Sequence, residues 1–406
     1  MPFSWKTGGR NDILIKFESF LKLQRRLGVI VIETKIVSDS FVFIILDVNR
    51  RLKQTYMKSD LILEKLKVHA RYIEYPGDKI SFSDTKWAVL FLNMGGPEKL
   101  DDVEPYLYNI FSDRNIIKLP LSFMLQKPLA RLISSRRAPK TKENYRAIGG
   151  GSPLLKWSRL VAEGVEKNLR AKYVNVGACA GMRYTPPFIK DRLDTMAQSG
   201  YKHIVVVTLY PQYSRATTGT ALKEILDWLD DRGHKTDVTI SVISEWFDRP
   251  QYIKLLRDRI DEAMHKASDP QTTRLLFSAH SLPVRMIEKG DPYLEHVKTT
   301  AALAGDGYEY MLSFQSRSGP VRWQGPETME VIRDLGRLGL RSLVIVPVSF
   351  VSDHIETLHE IDMELRELAA ASGIKEFIRV ESFNDDPRFV SLLTDMVEEK
   401  IAGGRK

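Results

Sequence analysis

From Lys86 onward, apolar runs of strand length alternate with amphipathic runs of helical length, and this alternation constrains the fold more than any other feature. Strands are expected at 87–92, 174–179, 204–209, 238–243, 275–279, 310–314 and 343–348. Helices are expected near 100–111, 121–134, 155–169, 188–198, 218–229, 252–265, 294–304, 327–338, 356–371 and 387–401. A strand that follows another across a helix runs parallel to it, so the fold class is α/β, with parallel sheets flanked by helices. Two features make the sheets two. Leu209-Tyr210-Pro211-Gln212-Tyr213-Ser214 and Val346-Pro347-Val348-Ser349 weakly echo one another, as one turn of this kind in each half, and Asp248-Arg249-Pro250 offers a boundary. The expected domains are therefore 86–247 and 248–406, with a site in the cleft between them.

Residues 1–85 read differently, as short apolar bursts separated by basic pairs such as Arg25-Arg26 and Arg50-Arg51. They carry about +5 of the chain's formal charge of +8, so the remainder is nearly balanced. This extension is either a small appended subdomain or translated leader ahead of a start at Met57. No run reaches the length of a membrane span, and Asp12, Lys16 and Glu18 interrupt what would be a signal peptide's apolar region. A nucleic-acid footprint needs a concentrated basic face; only residues 134–142 resemble one, so no nucleic-acid partner is expected. The single cysteine, Cys179, excludes an internal disulfide and a cysteine-ligated cluster within one chain, and a reducing, cytoplasmic home follows most simply.

Chemistry concentrates where strands end. The run 343–348 is apolar and rich in β-branched residues, as a strand buried on both faces reads, and a helical stripe of Ile355, Leu358, Ile361 and Leu365 follows it. Between them stand Asp353, His354 and Glu356, at the carboxyl end of a strand, where open α/β sheets bind ligands. Spacing alone leaves two readings open, since Asp353 and Glu356 three residues apart are also a capping pair for a helix start. His280, in Phe277-Ser278-Ala279-His280-Ser281, emerges at the same sheet edge. An imidazole facing a carboxylate suits a labile divalent metal or a relay of protons. In the first half, Arg183, Tyr184, Tyr210 and Tyr213 follow strands and could form an aromatic wall with a cation, or simply rim aromatics with a surface ion pair. The run Gly149-Gly150-Gly151-Ser152-Pro153 lacks the lysine of a phosphate-binding loop and reads as a tight turn.

Seven segments, in order, resemble ferrochelatase: Asn93-Met94-Gly95-Gly96-Pro97, Ile148-Gly149-Gly150-Gly151-Ser152-Pro153-Leu154, Met182-Arg183-Tyr184, the Leu209 to Ser214 segment, Ser278-Ala279-His280, Phe314-Gln315-Ser316-Arg317-Ser318-Gly319-Pro320, and the segment from Phe350 through Asp353-His354-Ile355-Glu356 to Leu358. The resemblance covers roughly residues 86–401 and implies two Rossmann-like domains around a porphyrin cleft. It implies insertion of ferrous iron, as substrate, into protoporphyrin IX to give haem. Carried over by position, His280 and Glu356 match the family's metal-site pair, facing each other across the macrocycle. Asp353 and His354 match its neighbouring polar cluster, Arg183 and Tyr184 its porphyrin-facing pair, Tyr213 the Tyr-Ser segment beside them, and Trp323 a motif tryptophan. Residues 116–132 match an apolar lip that touches membrane in some members. Animal members hold an iron–sulfur cluster through a cysteine after that Tyr-Ser segment; here the position is Arg215, so no resident cofactor is expected. A coproporphyrin ferrochelatase, with Arg136, Arg137 and Lys140 meeting the extra carboxylates, and a non-catalytic tetrapyrrole or metal-binding protein are the alternatives.

Overall fold

The computed structural model describes residues 61–116, 122–232 and 236–403. Two four-stranded parallel sheets form its body. In the first, β1 (Trp87–Asn93), β2 (Val176–Met182), β3 (His203–Thr208) and β4 (Thr239–Ile243) lie in the order β2-β1-β3-β4. The second repeats this order as β6-β5-β7-β8, with β5 (Arg274–His280), β6 (Tyr310–Gln315), β7 (Ser342–Pro347) and β8 (Glu376–Arg379). Helices cover both faces, which is why β1, β3 and β7 are buried along their whole length and read as unbroken apolar runs. The expected class and the division into two sheets are therefore what the chain adopts.

The repeated order positions the site. The chain leaves β1 for β2 on one side and then for β3 on the other, so a crevice opens at the carboxyl ends of β1 and β3. In the second sheet the equivalent crevice lies at the ends of β5 and β7. His280 is the last residue of β5, and the turn after β7 carries Asp353, His354 and Glu356.

Several elements depart from their expected bounds. β8 has only four residues, too few for a periodic signal, and pairs with β7 from Ser342↔Glu376 to Ile345↔Arg379. The helix Ser122–Ala147 continues through Pro128 and Pro139, well past the expected end at 134. Its Ala130, Ser134 and Ala138 recur every four residues and are all buried, and the helix packs along Val103–Ser112, so packing overrides the local cost of proline. At Gly149 and Gly150, φ is +102° and +96°, and a Cβ on Gly151 would meet the Glu98 carbonyl oxygen at 2.1 Å. The glycine run is thus a turn that side chains would break, as its sequence suggests.

Of the N-terminal extension, residues 1–60 lie outside the described residues, while 61–85 dock on the first sheet. The Ile73 N–H donates to the Ile240 carbonyl and the Ile240 N–H to the Arg71 carbonyl, both at 2.8 Å, which covers the edge of β4. Leu66 from the helix Leu61–Lys67 is fully buried against the same sheet. At the other end, Phe389, Leu393 and Val397 of the helix Pro387–Ile401 enter a core shared by both sheets. That helix packs against Leu154–Arg170 of the first half and Pro250–His265 of the second, tying the halves together. Part of the expected lip, 117–121, lies outside the described residues; farther along it, Leu125 and Leu132 are exposed on the helix Ser122–Ala147. Among the described residues no helix is long and apolar enough to cross a membrane.

Candidate active site

Glu356 does not cap its helix. Its Oε2 lies 2.9 Å from His280 Nδ1, and the Thr357 hydroxyl takes over the start of the helix, accepting from the His354 N–H at 3.0 Å and donating to Asp353 Oδ1 at 3.1 Å. The choice that spacing left open is decided by where the carboxylate points. Glu356 and His280 sit across the β5/β7 crevice, and His354 Nε2 stands 3.7 Å from Glu356 Oε1. Burial pushes the Glu356 carboxyl up, but His280 and then His354 outweigh it and hold the group below the usual carboxylate range. Burial works against a charged His280 as well, and the Glu356 charge reverses this, raising the imidazole above its ordinary value. The His280 side chain keeps 37% of its surface exposed, so the ring remains open to a ligand.

Separated by 2.9 Å, the pair leaves no space for a macrocycle between its members, which would need two van der Waals contacts of about 3.5 Å each. In this form of the protein His280 and Glu356 are therefore in direct contact, and not placed across a macrocycle as the resemblance implies.

The residues 356–371 are wound differently from the expected α-helix. Glu356–Leu365 is a π-helix, followed by an α-helical turn and a half, Arg366–Ala371. Such insertions are frequent at functional sites. Glu356 and Glu360 both accept from the Ser316 hydroxyl, the former at 2.7 Å. The Ser316 N–H also donates to Glu360 Oε1 at 2.8 Å, which it reaches because the residue sits at φ +64°, in the left-handed region that non-glycine residues seldom adopt. Burial and the charge of Glu356 push Glu360 up from 4.5 to about 6.

The sign of that shift makes a prediction. Between pH 4.5 and about 6 the folded chain holds a proton on Glu360 that the unfolded chain has lost, so this group's contribution is present below that window and is lost as pH rises through it. Glu360→Gln is expected to be more stable than the parent at pH 7 by about 1–2 kcal/mol, with the difference fading toward pH 4.5. Urea unfolding across that range measures it, and equal stabilities at pH 7 would contradict the assignment.

Asp353, expected beside the reacting groups, faces the other way. It accepts from Arg379 Nη1 at 3.0 Å, the Ser382 hydroxyl at 2.8 Å and Asn384 Nδ2 at 2.9 Å, while its own N–H donates to Asn384 Oδ1 at 2.8 Å. Burial opposes its charge, yet Arg379 and these hydrogen bonds hold it below the usual range. Its contacts fix the turn that delivers His354 and Glu356. Phe350 lies between the two histidines, its ring centroid 4.4 Å from His354 and 6.5 Å from His280.

The first-half candidates are not brought into contact with this pair. Arg183 is bound on both sides, to Asp113 at 2.8 Å and Glu224 at 3.1 Å. Tyr184 is buried and donates to Asp113 Oδ2 at 2.9 Å, and Tyr213 is buried in the first sheet's core. Together Arg183 and Tyr184 brace the end of the helix Val103–Ser112 through Asp113. Trp323 is half-buried and pairs with Pro283 in an isolated bridge, on the loop that follows β6. From the first half, Tyr106 and Tyr145 feel the Glu356 charge: burial pushes both phenols upward, and to this Glu356 adds for Tyr106, and Tyr106 and then Glu356 for Tyr145.

Sequence reading missed Ser316, Glu360, Tyr106 and Tyr145. Glu360 was legible, since four residues after Glu356 is one helical face. Ser316 follows Gln315, the β6 partner of His280, but only the sheet register shows that. Nothing local marks the two tyrosines.

Compared with known proteins, residues 86–401 match the family model described as ferrochelatase. The chain belongs to the ferrochelatase family. It is 43% identical to "Ferrochelatase-2, chloroplastic" of Cucumis sativus over 327 residues, 78% of this chain and 64% of that protein. It is 42% identical to the ferrochelatase of Gloeobacter violaceus over 320 residues, covering 77% of this chain and 97% of that one. A Cyanothece ferrochelatase is 41% identical, with 78% of this chain and 82% of that protein covered. Among solved structures, SirB from Bacillus subtilis with Fe3+ has a TM-score of 0.46 and 15% identity over 78% of this chain and 96% of that chain. The ferrochelatase match spans both sheets and the helix Pro387–Ile401, and it begins at Lys86, after the segment that covers the edge of β4.

Proposed function

We propose that the chain inserts ferrous iron into protoporphyrin IX, forming protohaem and releasing two protons. The observation that carries this reading is the His280–Glu356 pair, 2.9 Å apart at the carboxyl ends of β5 and β7. Metalation requires a base for the two pyrrole N–H protons and a charge partner for the cation so formed. The open ring of His280 takes the first proton as an imidazolium that the adjacent Glu356 carboxylate stabilises, and passes it to Glu356 before taking the second. Ser316 and Glu360 extend the hydrogen-bonded path away from the pair. Two protein ligands leave the other positions of a cation open, so iron meeting His280 and Glu356 is held loosely enough to pass to the ring.

The same reading covers the setting. Cys179, the chain's one cysteine, lies in β2 with its thiol pushed up to about 11 by burial, and Arg215 donates to the Lys289 carbonyl at 3.0 Å, so we assign no resident iron–sulfur cluster. A reducing cytoplasmic compartment suits this, without a nucleic-acid partner, and the exposed Leu125 and Leu132 give the helix Ser122–Ala147 apolar groups for peripheral contact with a membrane. Of the basic groups that could meet the extra carboxylates of coproporphyrin, Arg137 donates to Ser318, Lys140 pairs with Glu143 at the surface and Arg136 is exposed, so the choice between the two rings is made by the assay.

Anaerobic incubation of the purified chain with ferrous iron and either porphyrin, followed by absorbance, tests the assignment. Protohaem formation faster than coprohaem formation is the expected result. Faster turnover of coproporphyrin would move the substrate, and a folded chain that quenches porphyrin fluorescence yet inserts no iron into either ring would be a binding protein.

A further inference from the structure

The backbone of His280 is held by side chains on the side where the ladder to β7 has stopped. Pairing between β5 and β7 ends at Ser278↔Pro347, and the chain after Pro347 turns away. The N–H of His280 donates to the Ser349 hydroxyl at 3.2 Å, and its carbonyl accepts from the Tyr293 hydroxyl at 3.0 Å. The two hydroxyls are themselves 2.5 Å apart, and both residues are buried. Tyr293 is fixed in turn by Asp291, which is 4% exposed and accepts from the Tyr293 N–H at 3.0 Å through Oδ1. Its other oxygen, Oδ2, accepts from the Ser214 hydroxyl at 3.0 Å and the Arg215 N–H at 2.8 Å. Ser214 and Arg215 belong to the first half, in the segment that leaves β3 past Tyr210.

We propose that Asp291 and Tyr293 are positioning residues, through which the turn after β3 in the first domain sets the place of His280 in the cleft. The inference rests on the reading of His280 as the base. One carboxylate divides its oxygens between the two domains, and the tyrosine beside it grips the peptide of the reacting histidine. A plain interdomain staple would need only the Asp291 contacts; the Tyr293 hydroxyl adds nothing to domain docking and bears on the His280 carbonyl and on Ser349, which holds the N–H of the same residue. Displacement of a reacting group by a fraction of an ångström costs rate far more than it costs binding.

Tyr293→Phe keeps the ring and removes the hydroxyl. Expected is a fall in kcat for ferrous insertion of about tenfold or more, with KM for porphyrin within about twofold of the parent. Tyr308→Phe is the control, since it loses a buried-edge hydroxyl bonded to Asp261 just before β6, at the opposite end of the sheet from His280. The two variants should melt similarly, and only Tyr293→Phe should lose kcat. Parental kcat in Tyr293→Phe, or parallel losses of kcat, porphyrin affinity and melting temperature, would overturn the proposal. If Tyr293→Phe does not fold, Ser349→Ala, which removes the acceptor of the His280 N–H, carries the same test with the same outcomes. His280→Ala separates the two readings: insertion that survives it removes the base assignment, whereas its loss beside a parental Tyr293→Phe removes only the positioning role.

Discussion

Glu356→Gln is expected to slow ferrous insertion by about a thousandfold while leaving porphyrin binding intact. The amide has the shape of the carboxylate and keeps an oxygen for the Ser316 hydroxyl, so the π-helix and the loop after β6 stay in place. What is lost is the charge. In the parent that charge raises the His280 imidazole against the effect of burial, and without it the ring becomes a weaker base in a site that no longer stabilises its cation. Two measurements separate the contributions. Porphyrin fluorescence quenching reports binding, and the pH profile of kcat/KM reports the free base. The acid limb of that profile should move to lower pH in the variant, because the neutral ring is reached sooner as pH rises. Insertion within tenfold of the parent, with an unmoved acid limb, would remove Glu356 from the chemistry.

The second large effect is on stability, not rate. Asp353→Ala is expected to cost about 3 kcal/mol in urea unfolding at pH 7, since it leaves the largely buried Arg379 guanidinium with Asp362 as its one ion-pair partner among the described residues and strands the hydrogen bonds from Ser382, Asn384 and Thr357. Because the Asp353 carboxyl is held below its ordinary range, its contribution is present above that range and lost as pH falls through the depressed value. The gap between parent and variant should therefore narrow in acid. A variant as stable as the parent at pH 7, but inactive, would return Asp353 to the reacting groups.

These two residues show where sequence reading succeeds and where it stops. Asp353 and Glu356 stand three apart after the same buried strand, and both belong to polar groups that any reading of strand ends would select. Their carboxylates nevertheless point to different neighbours. Glu356 meets His280 from β5, whereas Asp353 meets Arg379 from β8, a strand too short to leave a pattern. Arg183 makes the same point in the first half. A cation at a strand end suggests an anchor for a substrate carboxylate, but Asp113 and Glu224, 70 residues before it and 41 after it, already neutralise it.

By itself the sequence determined the α/β class, the seven longer strands, the doubling of the sheet and the position of His280 and Glu356 at strand ends. These are set by hydrophobic periodicity and by residue type at a strand terminus, which are properties of neighbouring residues in the chain. The tertiary structure alone decided which titratable groups face one another, that Ser316 joins Glu356 to Glu360, that the helix Ser122–Ala147 runs through two prolines, and that the helix Pro387–Ile401 returns to the first half. Each of those depends on pairing across a sheet or on packing between segments far apart in sequence, and the free energy of such contacts outweighs local preference without leaving a local trace.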